Sequence, residues 1–276
     1  MSKPKRTPMF WILGTQTLLL LVIVLVPFAL AVAGAVLNTS FLGISTEAWS
    51  GGSGARLYTF HWFGYVWELY RGSFYFSLEL AVLSTVLALL IGVPGGYALA
   101  RSAFPGSALL ESLIMLPLAI PGIALSIGLI ETYTLVRGAW WLILCGHLLY
   151  TLPFMVRLVT DALRAADMAA LEACAQGLGA GYWQRLALVV LPNLRSAIIS
   201  GALMVFAVSW GEFNVSYLLN TPVHQTYPAA LYATYTSNSF QVGSAATVIF
   251  LMVSVPALLA IQWFGGESTS NIGKAA

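Results

Sequence analysis

Glu79, His147 and Glu212 are ionisable side chains that stand inside long apolar runs of this chain. An ionisable group at such a position is costly to bury and marks either a functional site or a structural polar contact. Glu79 lies near the end of its run, within reach of water. His147 reads as a hydrogen-bonder between helices. Glu212 sits deep, between Ser209-Trp210-Gly211 and Phe213-Asn214, where a carboxylate would attract a cation. No paired-cysteine or His-x-x-x-His pattern suggests a metal site, and Cys145 and Cys174 read as free thiols. The only Gly-Lys pair is Gly273–Lys274, so there is no P-loop with which to hydrolyse a nucleotide.

The elements holding these groups follow from composition. Only 8% of the 276 residues are charged, against about 25% in soluble domains, which makes this an integral membrane protein. A net charge of +2 argues against nucleic acid as a partner. A spanning helix needs about 20 apolar residues. Six segments qualify: Phe10–Leu37, Phe74–Ala100, Leu109–Ile130 (interrupted by Pro117 and Pro121), Ala139–Val159, Leu194–Leu219 and Val242–Phe264. No Asp, Glu, Lys or Arg occurs from Thr7 to Thr46. That stretch is longer than a signal-peptide core and predicts a retained first helix.

Lysine and arginine set the orientation. With the N-terminus inside, nine fall on the inner side (Lys3, Lys5, Arg6, Arg101, Arg157, Arg164, Arg185, Arg195, Lys274) and three outside (Arg56, Arg71, Arg137). The expected fold is thus all-α, with six transmembrane helices and both termini cytoplasmic. Residues 1–9 and 265–276 are tails, 10–37 the first helix, 38–73 an external loop and 74–264 a five-helix core. Thr160–Asn193 is the largest inner loop and Asn220–Gln241 a charge-free outer one.

Thr160–Asn193 reads as helix, turn, helix. Asp161 is placed to cap the first helix, and Leu163, Ala166, Ala170, Cys174 and Leu178 recur at helical spacing as a narrow face of small side chains. Gly177, Gly179 and Gly181 end that helix. A second short helix runs from Tyr182 to Val190 and Pro192 closes it. A small-residue face flanked by both charge signs suits a groove on another protein. Asp161 is also spaced to pair with Arg157 and Arg164.

The loop resembles the EAA loop of ABC importer permeases: Glu172-Ala173-Cys174, then Gly179-Ala180, then Leu191-Pro192. Glu172 stands one residue further from Gly179 than is usual in that family. Gly92-Val93-Pro94 through Arg101, Phe104-Pro105-Gly106, Leu116 to Gly122 and Ser209 to Phe213 are similar to the polyamine, iron and thiamine group of these permeases. The resemblance implies one half of a transmembrane pore in a bacterial inner membrane. It implies a loop helix that docks on a cytoplasmic ABC ATPase dimer through Asp161, Arg164, Asp167, Met168, Leu171, Glu172, Ala173, Cys174, Gly179 and Ala180. It further implies a second permease, expected to be a different chain, and an external solute-binding protein. The chain itself would bind no cofactor, with ATP and magnesium held by the ATPase. Glu212, Asn214, Tyr217 and Pro121 are the expected solute path, with a polyamine or similar cation as the expected solute. The alternative is a secondary transporter working without an ATPase, although no internal repeat between the two halves supports it.

Overall fold

A computed structural model describes residues 8–37, 59–101, 106–165, 168–237 and 240–272. Those residues are overwhelmingly helical and contain no extended β-strand. The helices are α1 (Pro8–Val36), α2 (His61–Arg101), α3 (Ser107–Ala119), α4 (Gly122–Thr132), α5 (Trp140–Ala165), α6 (Met168–Gly177), α7 (Tyr182–Arg185), α8 (Leu191–Trp210), α9 (Asn214–Leu219), α10 (Tyr227–Ser237) and α11 (Phe240–Ile272). Five helical segments are long and apolar enough to cross a membrane, and α3 with α4, bent by 102°, makes a sixth when counted as one span.

The chain divides into two compact units, residues 1–69 with 231–251, and 70–230 with 252–276. In the first, α1 approaches the start of α11 through small residues. A Cβ on Gly34 would stand 2.5 Å from Phe240 Cε1 and Ser244 Oγ. Ala35, Ala245 and Ala246 are buried.

In the second unit α5 is the central post. On one side it runs parallel to α2. A Cβ on Gly92 would meet Met155 Cγ at 2.6 Å, one on Gly96 would meet Val159 Cβ at 2.9 Å, and Thr160 Oγ1 donates to the Gly96 carbonyl at 3.3 Å. On the other side α8 runs antiparallel: Gly201 lies against Met155, and Ser209 against His147. Glycine allows such close approach between membrane helices. Since α2 and α5 point the same way, the chain between them must cross back once. The bent pair α3–α4 therefore makes a single crossing. Pro121 supplies the break: it cannot donate an amide, and it holds Ile120 in extended backbone (ψ 128°).

Several sequence expectations need correction. Asp161 caps nothing, because α5 continues unbroken to Ala165. Leu163 belongs to no docking face; it is 1% exposed, in a core with Met155, Val159, Met168, Val190 and Leu194. Pro192 does not close a helix. A π turn over Leu186–Val190 leads straight into α8, with the Leu191 amide reaching back to the Leu186 carbonyl, and this wider turn admits the proline at the second position of α8. The second helix begins at His61, well inside the expected external loop, and α10 occupies part of the expected outer loop. The fifth span ends at Trp210, so Glu212 lies in a break rather than inside a helix.

Candidate functional site

The opening stretch of α6 is built around two inward side chains one turn apart. Met168 is fully buried in the core shared with Leu163 and Leu194. Glu172 is 8% exposed. Its two oxygens are taken separately: Arg101 Nη2 donates to one at 2.5 Å, and the Tyr97 hydroxyl to the other at 2.9 Å. Tyr97 and Arg101 are four apart on α2 and so share a face. The opposite side of α6 presents Ala169, Ala170, Leu171, Ala173, Cys174 and Gln176, all exposed.

Beyond α6, Leu178 is 90% exposed. Gly179 adopts φ +88°, a left-handed conformation open to glycine, and Ala180 N–H bonds the Ala175 carbonyl at 3.0 Å. This double reversal is a helix C-terminal cap. The side chain of Gln184 accepts from the Gly181 amide at 2.8 Å, and Arg185 donates to Gln176 at 2.8 Å, tying α7 to α6. Among the expected loop residues, Met168 and Glu172 face inward; Leu171, Ala173, Cys174 and Gly179 are exposed, and Ala180 is half-buried. Ala166 and Asp167 lie outside the described residues, as do Phe104 and Pro105.

Asp161 accepts from Arg157 at 2.7 Å. Arg164 pairs instead with Glu111 of α3, through Nη1 at 3.2 Å and Nη2 at 3.1 Å, and Arg157 reaches the same carboxylate at 3.4 Å. Glu111 thus fastens α3 to α5, a tie with no local sequence signal. Both arginines are about half exposed, and such pairs are worth about 0–1 kcal/mol. Glu111→Gln should shift the thermal midpoint of the purified chain only slightly. A large loss would mean that the α3–α5 contact depends on this carboxylate.

A second polar cluster surrounds the two helix breaks. Tyr150 donates to the Ile120 carbonyl at 2.9 Å, just before the α3–α4 bend. A Cβ on Gly122 would meet Asn214 Cβ at 2.7 Å, so α4 and α9 start against each other. His147, 1% exposed, bonds Ser209 Oγ through Nδ1 and Ser216 Oγ through Nε2, both at 2.8 Å. Hydroxyls on both sides suit either ring tautomer, since each can donate or accept. Glu212 accepts from the Val215 amide at 3.1 Å and the Ser216 amide at 3.0 Å, and one oxygen stands 3.9 Å from His147 Nε2. The carboxylate therefore caps α9, where free amides and the helix dipole favour negative charge. Pro121, Asn214 and Tyr217 are exposed around the capped break. Sequence reasoning missed Tyr97, Arg101, Ser209 and Ser216. Only the four-residue spacing of Tyr97 and Arg101 hinted at a shared task.

Phe74, Trp210 and Tyr227 pack against one another. Trp210 stacks on Tyr227 with ring centroids 6.2 Å apart, and Phe74 meets both edge-on. Tyr227 is 2% exposed, whereas Tyr232 and Tyr235 of α10 are exposed.

Long apolar helices and a broken third span define a multi-pass, all-α membrane protein. Residues 92–265 match the family described as "Binding-protein-dependent transport system inner membrane component", and the chain belongs to it. It is an ABC transporter permease, and its relatives are transport subunits rather than enzymes. It is 28% identical over 199 residues to the spermidine/putrescine transport system permease protein PotC of Shigella flexneri, covering 71% of this chain and 75% of that one. It is 30% identical over 196 residues to the molybdate/tungstate transport system permease protein WtpB of Thermococcus kodakarensis, covering 70% and 78%. Among solved structures, a bacterial ABC transporter involved in import of the acidic polysaccharide alginate matches with a TM-score of 0.68 at 18% identity, over 94% of this chain and 99% of that one. The MetNI methionine ABC transporter in inward-facing form matches at 0.59 and 19% identity, over 72% and 95%. These two likenesses bear on the fold alone.

Proposed function

We propose that this chain is the permease subunit of an ATP-driven importer in a bacterial inner membrane. It forms half of the path for a small polar solute delivered by a binding protein. Both termini lie in the cytoplasm, and α6 docks on a separate ABC ATPase that holds ATP and magnesium. A second permease, a different chain, completes the path. The observation carrying this reading is the outward face of α6. Ala169, Ala170, Leu171, Ala173 and Cys174 are exposed on a helix whose other side is locked into the core. A helix held that way presents small side chains to a groove and transmits a push without yielding.

The solute path runs past Pro121, Asn214 and Tyr217, exposed where α4 and α9 begin. A polyamine is the first solute to test, with molybdate as the opposite-charge probe, because relatives are named for each. Each Glu212 oxygen accepts from a backbone amide at this break, so the carboxylate serves as a helix cap.

Mild-detergent pull-down of the tagged chain, read by mass spectrometry, should recover an ABC ATPase and a second permease. Recovery of intact, folded chain alone overturns the reading and favours a secondary transporter. Cys174 should react with a polar maleimide in the isolated chain and be protected at least severalfold when the ATPase is bound. Equal labelling in both states would place the docking surface elsewhere.

A further inference from the structure

We propose that Glu172 is a latch within the chain, a positioning residue that fastens the docking helix to the end of α2. The proposal rests on the coupling role of α6 given above and adds the part that α2 plays. A carboxylate this deeply placed must be paired, and its partners come from this chain: Arg101 and Tyr97 take one oxygen each. Neither oxygen is turned toward the exposed face of α6. Arg101 also lies with its guanidinium carbon 6.0 Å from the Tyr97 ring centroid, which stacks the two donors against each other. The same helix is pressed to α5 two turns earlier, at Gly92 and Gly96. Met168 anchors the first turn of α6 by packing, and Glu172 anchors the second by charge. Movement of α6 therefore carries the Arg101 end of α2 with it.

Seen this way, the extra residue between Glu172 and Gly179 has a physical meaning. It places the carboxylate on the same side as Met168, four residues earlier, and leaves Leu171 and Cys174 on the outer side. A partner protein meets those residues and not the glutamate.

The test is hydrogen exchange on the purified full-length chain, comparing residues 168–177 with the α5–α8 core. Glu172→Gln and Arg101→Gln should each speed exchange in α6 about tenfold, the loss of one charge-assisted tie, with the core unchanged. The exchanged pair Glu172→Arg with Arg101→Glu should restore most of the protection. Unchanged exchange in the single variants, or no recovery in the pair, overturns the latch. Should the single variants loosen the whole chain, Tyr97→Phe decides. It keeps the ion pair and removes one hydrogen bond, so faster exchange confined to α6 supports the latch and none overturns it. Pull-down with co-expressed ATPase separates the two readings. Loss of ATPase in Glu172→Gln that the exchanged pair does not restore assigns Glu172 to the partner and overturns the latch. Failure of the unmodified chain to retain any ATPase overturns the docking role of α6 and leaves the exchange result standing.

Discussion

Gly96→Ala is expected to destabilise the chain by about 1–3 kcal/mol, the usual cost of forcing a methyl group into a packed core. The new Cβ would stand 2.9 Å from Val159 Cβ and Cγ1 and 3.0 Å from the Val156 carbonyl oxygen. Neither obstacle moves easily: valine is stiff at χ1, and the carbonyl is helix backbone. Gly92 faces Met155, and a Cβ there would meet Cγ at 2.6 Å and Cβ at 2.9 Å, the end of the side chain nearest the backbone. The far end of the same side chain lies against Gly201, where an added Cβ would meet Met155 Sδ at 2.8 Å. Gly92→Ala and Gly201→Ala should therefore cost more together than the sum of the two, a coupling carried by one side chain. Gly95 is the control. Its Cβ would meet only Val156 Cγ2 at 3.9 Å, so Gly95→Ala should leave stability unchanged or raise it by up to about 1 kcal/mol through helix propensity. Thermal denaturation of the four single variants and the Gly92→Ala/Gly201→Ala double variant, purified in one detergent, measures all of this. Equal midpoints for Gly95→Ala and Gly96→Ala would show that α2 does not press on α5 as described.

The sequence carried the membrane class and most of the spans because charge is excluded from the bilayer core, and a long stretch without Lys, Arg, Asp or Glu is visible without any structure. Pro121 was legible as an interruption for the same local reason: a missing amide. The break after Trp210 was not. Hydropathy continues through it, and what marks the new start is a side chain, Glu212, accepting from the amides of Val215 and Ser216 in the first turn of α9. A cap of that kind is written in three-dimensional geometry, and an acidic residue in an apolar run looks the same whether it awaits a solute or caps a helix. Glu172 is the parallel case. The family resemblance put it among the docking residues, whereas its partner Arg101 is 71 residues away, beyond any local pattern. Pro192 misled in the opposite sense. Proline is expected to end a helix, but here it follows a π turn and takes the second position of α8, where the chain stays helical. The glycines after α6 were legible, because Gly179 performs a task that few other residues can.

Glu212→Ala is expected to be the most damaging single change at the helix breaks, and Glu212→Gln the most informative. Alanine leaves the amides of Val215 and Ser216 without their acceptors, in residues that are themselves fully buried. Each unsatisfied donor costs about 1–3 kcal/mol. Glutamine keeps one acceptor oxygen but turns an NH2 toward the second amide, so one bond is lost and two donors face each other, at about 1–2 kcal/mol. The disturbance should spread to His147, whose Nε2 partner is the Ser216 hydroxyl, one residue along the capped turn. Ser209→Ala, which removes the other ring contact, should be partly redundant with Glu212→Ala because both loosen the same side chain. Asn214→Ala provides the contrast. Asn214 is exposed beside Gly122, so its loss should change stability by no more than about 0.5 kcal/mol, as for surface changes, while altering uptake. Spermidine and molybdate uptake into vesicles, divided by the amount of folded chain, distinguishes the two roles. With Glu212 as a cap, Glu212→Gln lowers uptake only as far as it lowers folded protein, and the preference between the two solutes is unchanged. A stable Glu212→Gln chain with a reversed or abolished preference for the cation would return the carboxylate to the solute path. It would also require its bonds to Val215 and Ser216 to open during transport.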